Sequence, residues 1–461
     1  MRRAPLYQWL VPRVVAPLAE HLGLPAWTTE RRLGELQWRS PEELEERALS
    51  RLRQLLEHAA RHVPHYRNLL AGVDARGIRA VSDLARVPIS TKSELRAGFP
   101  GRTTAQNLPE SRRQPMMTSG STGLPFEFYW DRSVLPFLGG TDRFWLGWWG
   151  IAVWHTRVVI ASPSYFYERI KPPRRLHALA NRLVIGERTE NLPADRITPA
   201  QFRSLVERVT PRGPYFIRSY PGSLASLAAG LVKDGEPLRS FPKAVIALAE
   251  TLTPATAARL REVFRCPVVN HYSAWEVPQM AHSCPAAPDS LHVNSERVIL
   301  RVVRPDGTDA APGETGQVVV TDLANYVMPF INYSAGDLAV AGGRCACGRG
   351  MPTLARLEGR DSEMIRTLDG REVSAGALGQ LLTFVIGIIP FVWEYQAVQT
   401  GPGALTLCVV PTPRFTPEFR LALERGLSEF LGPDMTITVE TVGAIPLEAS
   451  GKRLIIKRLA S

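Results

Sequence analysis

"TSGSTGLPFEFYWD", Thr118 to Asp131, joins a run of small hydroxyl side chains and glycines to a run of strand-forming aromatics. Glycines permit positive φ and let a backbone come close to a ligand. Successive N–H groups in such a loop can converge on one concavity and bind phosphate oxygens. The same residues read equally as an ordinary Gly/Ser/Thr turn between two elements. The stretch is not a Walker loop. That motif closes with Gly-Lys-Ser/Thr, and here Gly123 is followed by Leu124 and Pro125. If this loop holds phosphates, its lysine must come from elsewhere in the chain.

Around that stretch lies a chain of 461 residues, 45% hydrophobic and 21% charged, enough to bury the cores of two or three domains. No uninterrupted apolar run reaches the roughly 20 residues of a spanning helix. The opening "MRRAPLYQWLVPRVVAPLAEHLGL" is broken by Pro12, Arg13, Pro17 and Glu20. It reads as an amphipathic start rather than a signal peptide, and a membrane-surface role for it stays open. Net charge is +11, and only six of the 55 basic residues are lysine. Such a field suits an anionic substrate or cofactor. No nucleic-acid-binding motif accompanies it. Five cysteines, Cys266, Cys284, Cys345, Cys347 and Cys408, form no disulfide framework in a chain this long. They point to a reducing, cytoplasmic setting.

The pattern along the chain predicts an α/β fold. Residues 40 to 71 read as a helix, opened by Ser40, Pro41, Glu42 and Glu43 and carried by Leu44, Ala48, Leu52, Leu55 and Leu56. "FEFYW" reads as a strand. Between about 132 and 260, helices alternate with the apolar runs "RVVIASP", "YFIRSYP" and "AVIALAE", which favours largely parallel strands. From about 290 to 345 the pattern turns to β. The last roughly 100 residues, after "LEGRDSEMI", read as a small α+β domain: a hairpin at "MIRTLDGREV", two helices, three strands and a polar tail. Cys266 and Cys408 read as core residues of apolar strands.

Four later stretches bear on the opening loop. In "NHYSAWEV", Tyr272 can stack on a base and Glu276 can hold magnesium beside phosphates; a strand end with an exposed acid is the plain alternative. In "INYSAGDLAV", Asp337 can accept ribose hydroxyls or be a turn aspartate. In "LEGRDSEMI", Gly359 and Arg360 sit at the suspected domain junction, and in "EASGKRLIIK", Lys452 lies in a polar loop.

In this order the motifs resemble those of the adenylate-forming acyl- and aryl-CoA ligase superfamily, most of all its phenylacetate–CoA ligase branch. "HAARHVPHYRNLL", "DLARVPISTKSELR" and "CACGRGMPTLARLEGRDSEMI" resemble that branch too, so the likeness runs from about residue 40 to 455. The resemblance implies a large N-terminal ATP/acyl-substrate domain over 1–358, with mixed sheets and a β-rich subdomain. A hinge at 359–363 and a small mobile α+β lid over 364–461 would follow. It implies that Thr118, Ser119, Gly120, Ser121, Thr122 and Gly123 cradle the β- and γ-phosphates of ATP. Ala249 and Glu250 fall where the branch has Gly-Glu beside the adenine. Tyr272 would stack on adenine, Glu276 bind Mg²⁺, Asp337 hold the ribose and Arg360 contact the nucleotide near the hinge. Lys452 would reach the α-phosphate and carboxylate, supplying the lysine that the loop lacks.

The activity so implied is adenylation of a small-molecule carboxylic acid, aromatic or hydrophobic, and transfer of the acyl group to coenzyme A. An amine or an AMP acceptor, or a silent nucleotide-binding relative, are the alternatives; a homodimer is among the assemblies left open. The sequence departs from the family pattern where Ser273 and Trp275 stand for Gly and Thr, where Asn332, Ser334 and Ala335 stand in the usual Arg-Tyr-Arg-Thr, and where Ser362 stands for an acid. Trp275 is expected to wall the acyl pocket.

A separate set, Cys284, His292, Cys345 and Cys347, offers C-x₇-H and, much later, C-x-C. Four Cys/His ligands suit a structural zinc. Some members of the resembled branch carry such a site. His282 competes as a ligand, and four unrelated residues is the plain alternative.

Overall fold

The computed structural model describes residues 4–118, 126–161, 186–194, 197–360, 363–388, 390–446 and 454–459. Two compact units emerge. One gathers Met1–Pro5, Trp154–Val269 and Leu357–Ser461; the other gathers Leu6–Val153 and Asn270–Arg356.

In the first unit the three predicted apolar runs are strands, Thr156–Ala161, Tyr215–Ser219 and Val245–Leu248, and they pair in parallel as expected. Arg188–Pro193 adds a parallel strand beside Thr156–Ala161. The helices Pro199–Val209, Pro221–Asp234 and Pro254–Phe264 follow with proline in the first turn, where its missing N–H costs nothing. Their apolar faces join the strands in one core that includes Ile160, Phe202, Ile217, Leu224, Val245 and Leu260. The end of the chain forms a separate four-stranded sheet, Val392–Gly401, Ala404–Pro411, Thr436–Thr441 and Ile456–Arg458, backed by the helix Pro417–Leu431. The tail, expected to be loop, therefore contains a strand. Ile456 is buried and pairs with Ala397, so the apolar run Leu454–Ile456 outweighs the flanking charges. Cys266 also departs from expectation. It is half-buried and lies in the connection before Val268–Tyr272, not in a strand.

In the second unit the predicted helix 40–71 is two helices, Pro41–His62 and Pro64–Leu69. Pro64 disfavours helical backbone at Val63, which is extended at φ −115°. The start is as expected, with Ser40 and Glu43 in a reciprocal capping box. The β-rich region is antiparallel: Val298–Val303 pairs with Thr315–Asp322, which pairs with Tyr333–Ala341. Leu52, Leu55 and Tyr66 pack with Ile299, Leu323 and Ile331 into this unit's core. "FEFYW" is the strand Phe126–Asp131, paired antiparallel with Arg113–Thr118.

Candidate functional site

Ser119, Gly120, Ser121, Thr122 and Gly123, the centre of the opening loop, lie outside the described residues, as do Ser362 and Lys452. Both flanks are described. Thr118 ends one strand, and its buried Oγ1 has no hydrogen-bond partner among the described residues. A buried hydroxyl left unmade costs about 1–3 kcal/mol, so its position at the loop's root suits a ligand oxygen. Phe126 begins the next strand.

Within the second unit two of the expected nucleotide residues meet. Tyr272 is the last residue of Val268–Tyr272, and its hydroxyl donates to Asp337 Oδ2 at 2.7 Å. Asp337 is aimed by a bulge. The pairing of Tyr333–Ala341 with its neighbour shifts register between Gln317 and Val319, and Gly336 takes φ +81°. Such bulges turn a side chain out of the strand's alternation.

Glu276 is buried and, among the described residues, carries two donors: Tyr333 Oη at 3.3 Å and Lys92 Nζ at 2.9 Å, both on Oε1. Lys92 was not predicted. Ser90–Thr91 pairs in parallel with Tyr333–Ser334, and Thr91 caps the helix Lys92–Gly98 through a capping box with Glu94. These local devices fix Lys92 at the first helical position, beside Tyr333. Its ammonium also lies over the Phe126 ring, 5.5 Å from the centroid, at the exit of the hydroxyl-rich loop. A Thr-Lys-Ser-Glu cap in "ISTKSELR" was the available signal, but nothing in the sequence ties it to Glu276, 184 positions on.

Two of the departures from the resembled motifs, Asn332 and Trp275, have partners in the structure. Asn332 has φ +48° and is buried; its amide donates to Leu84 O at 3.3 Å and Val87 O at 2.6 Å and accepts from Arg301 at 3.2 Å. It ties the segment before Lys92 to the sheet. Trp275 is half-buried, stacks on Trp130 with centroids 6.2 Å apart, and its carbonyl accepts from the Trp130 indole at 2.7 Å.

In the first unit Ala249 has φ +66°. This is left-handed backbone that costs an L-residue about 1–2 kcal/mol and glycine little. Glu250 Oε2 accepts from Gly222 N at 2.7 Å, in the first turn of Pro221–Asp234. A carboxylate there meets the positive end of the helix dipole. The cavity beside it is lined by Glu250, Thr251, Arg259, Trp393 and Tyr395. Gly359, at φ +108°, precedes Arg360, and a Cβ on it would come within 3.1 Å of Thr251 Oγ1. Arg360 thus lies next in sequence to a residue packed beside the Ala249–Glu250 turn.

The Cys/His set converges. The donor atoms of Cys284, His292, Cys345 and Cys347 all lie within 4.8 Å of one another. Cys345 Sγ is 3.7 Å from Cys284 Sγ, and Cys347 Sγ is 3.2 Å from His292 Nε2. Sulfurs bonded to one tetrahedral zinc at about 2.3 Å stand roughly 3.8 Å apart. His292 Nδ1 meets Met351 O at 3.2 Å, which leaves Nε2 for a metal. Burial holds the His292 imidazole below its usual range, which favours the neutral ring, and pushes the Cys345 thiol up to about 11. Burial also opposes the Cys347 thiolate, but the Arg349 N–H helps to lower that thiol on balance. Cys284 and His292 lie on the two strands of a hairpin, Ala281–Cys284 and Ala287–Val293. His282 stands apart from the set: its ring lies flat on Trp145, centroids 5.0 Å apart, and its Nε2 accepts from Trp149 at 3.2 Å.

No family model matches the chain. It is 27% identical over 391 residues to a phenylacetate-coenzyme A ligase of Thermus thermophilus, covering 82% of this chain and 83% of that one. It is 26% identical over 348 residues to a phenylacetate-coenzyme A ligase of Escherichia coli, covering 73% and 76%. Its fold matches the solved structure of 2-hydroxyisobutyryl-CoA ligase, held with an acyl-AMP in the postadenylation state. There the TM-score is 0.74 at 20% identity, over 91% of this chain and 90% of that one. The resemblance to the phenylacetate–CoA ligase branch and the mixed α/β fold are both borne out.

Proposed function

We propose that this chain is an ATP-dependent ligase that converts a carboxylic acid into its acyl adenylate and passes the acyl group to coenzyme A. The carrying observation is the convergence, in one unit, of Tyr272 on Asp337 and of Lys92 on Glu276, in a chain similar along most of its length to phenylacetate–CoA ligases. An aromatic or hydrophobic acid is the substrate class that the likeness supports.

Attack of a carboxylate on the α-phosphorus brings two anions together, so the protein's task is positioning and charge neutralisation. Tyr272 offers its ring face to the adenine, and Asp337, held by the Tyr272 hydroxyl, accepts from the ribose. Lys92 brings a cation to the exit of the hydroxyl-rich loop, whose N–H groups and Thr118 receive the phosphates. Glu276, a buried carboxylate, is the hard oxygen ligand that Mg²⁺ takes. The metal, when bound, supplies positive charge to the phosphates. Lys452 reaches the α-phosphate from the lid over 364–461, which turns about 359–363. Gly359, with its left-handed φ, supplies backbone freedom there. Cys284, His292, Cys345 and Cys347 hold a structural zinc; four protein ligands leave no open position for catalysis. The five unpaired cysteines fit a reducing, cytoplasmic compartment.

ATP–pyrophosphate exchange over a panel of carboxylic acids tests the reading without presuming the acceptor. Acid-dependent exchange, then thioester formation when coenzyme A is added, is expected. Nucleotide binding with no exchange for any acid would mark a silent relative. Exchange without thioester would shift the acceptor to an amine or another group.

A further inference from the structure

The adenylating site does not use the N-terminal segment, Ala4–His21, whose backbone is helical throughout. Tyr7, Val11 and Ala19 are buried and seat this helix on the protein. Beside that seat a second apolar row stands in solvent: Leu6 is 59% exposed, Trp9 55%, Val14 44%, Leu18 55% and Leu22 63%. On an unbroken α-helix, at about 100° per residue, Val14 and Leu18 would rotate roughly 80° and 120° away from Leu6. The π turn Val11–Val15 carries more residues per turn, and so swings both back toward the Leu6–Trp9 face. The row is thus continuous because of a local departure from α geometry.

Arg13 is basic, and the segment's carboxylate, Glu20, is taken up by Arg31 at 3.2 Å. Arg13 lies over the Trp9 ring, 5.9 Å from its centroid. A tryptophan among aliphatics with an arginine alongside is the composition of a helix that lies in a lipid headgroup layer. We infer that this helix docks the protein onto the surface of an anionic lipid bilayer, lying in the interface without crossing it. Charge decides the occupant: the chain carries +11, so a second copy would set like charges against each other, whereas anionic headgroups complement them.

The test is co-sedimentation of the full chain with vesicles of phosphatidylcholine alone or mixed with phosphatidylglycerol. Binding to the mixed vesicles, weakened by salt, is expected. Arg13→Glu should lower it roughly tenfold or more, since it removes one basic residue's attraction to the anionic surface and adds a repulsion. Leu18→Glu should abolish it, while far-UV circular dichroism and pyrophosphate exchange stay at wild-type levels because the side chain is exposed. Three results would overturn the inference. They are no binding to anionic vesicles, Leu18→Glu binding as well as wild type, or a dimer in light scattering that Leu18→Glu splits. The last would make the row an interface between copies.

Discussion

Replacing Lys92 with methionine keeps the stem over Phe126 and removes only the charge. The ammonium is 2.9 Å from Glu276 Oε1, with side-chain exposures of 31% and 5%. At that separation the gross attraction is about 6 kcal/mol for an effective dielectric near 20. Desolvation of both groups offsets most of it. The net loss should approach that of a hydrogen bond between charged groups, about 2 kcal/mol, since among the described residues Glu276 keeps the Tyr333 hydroxyl alone, at 3.3 Å. Urea unfolding of metal-free protein should show that loss, and Glu276→Gln in the Lys92→Met background should restore most of it by removing the stranded charge. If Glu276 also receives magnesium, the variant should regain more stability from Mg²⁺ and ATP than the wild type does, while its pyrophosphate exchange falls. Unchanged stability in Lys92→Met would refute the pairing. An equal loss with and without Mg²⁺–ATP would refute the assignment of Glu276 to the metal and leave the pairing intact.

Lys452→Ala should abolish adenylation while ATP binding and the melting curve stay near wild type; exchange at wild-type speed would remove Lys452 from the chemistry. Ala249→Gly should raise stability by up to about 1 kcal/mol in urea titration, because relief of left-handed strain exceeds the extra chain entropy of glycine. A clear destabilisation would show that the Ala249 methyl packs usefully despite its φ of +66°. Elemental analysis should find about one zinc per chain by the four-ligand rule. Cys345→Ser with Cys347→Ser should lose it and melt lower. Protein that carries no zinc and melts unchanged in the double variant would leave the cluster as thiols and imidazole only.

The sequence by itself determined the local elements and the family of motifs. The periodicity of "RVVIASP", "YFIRSYP" and "AVIALAE" was enough for parallel strands, because strands buried on both faces need continuous apolar runs. The motif order was enough for the resemblance to phenylacetate–CoA ligases, because each motif is a short local pattern. Tertiary structure decided the rest. Lys92 looks like any lysine at a helix start until the pairing of Ser90–Thr91 with Tyr333–Ser334 brings it to Glu276. Asn332 looks like a lost arginine until its amide is found bonding Leu84, Val87 and Arg301. His282 competes with His292 for a metal on spacing alone. Only the stack of Trp145 and the Trp149 indole on His282, and the approach of Cys347 to His292, separate the two. The physical reason is common to all three. A cation, an amide or an imidazole takes its role from the partners that desolvate it and bond to it, and those partners are distant in the chain.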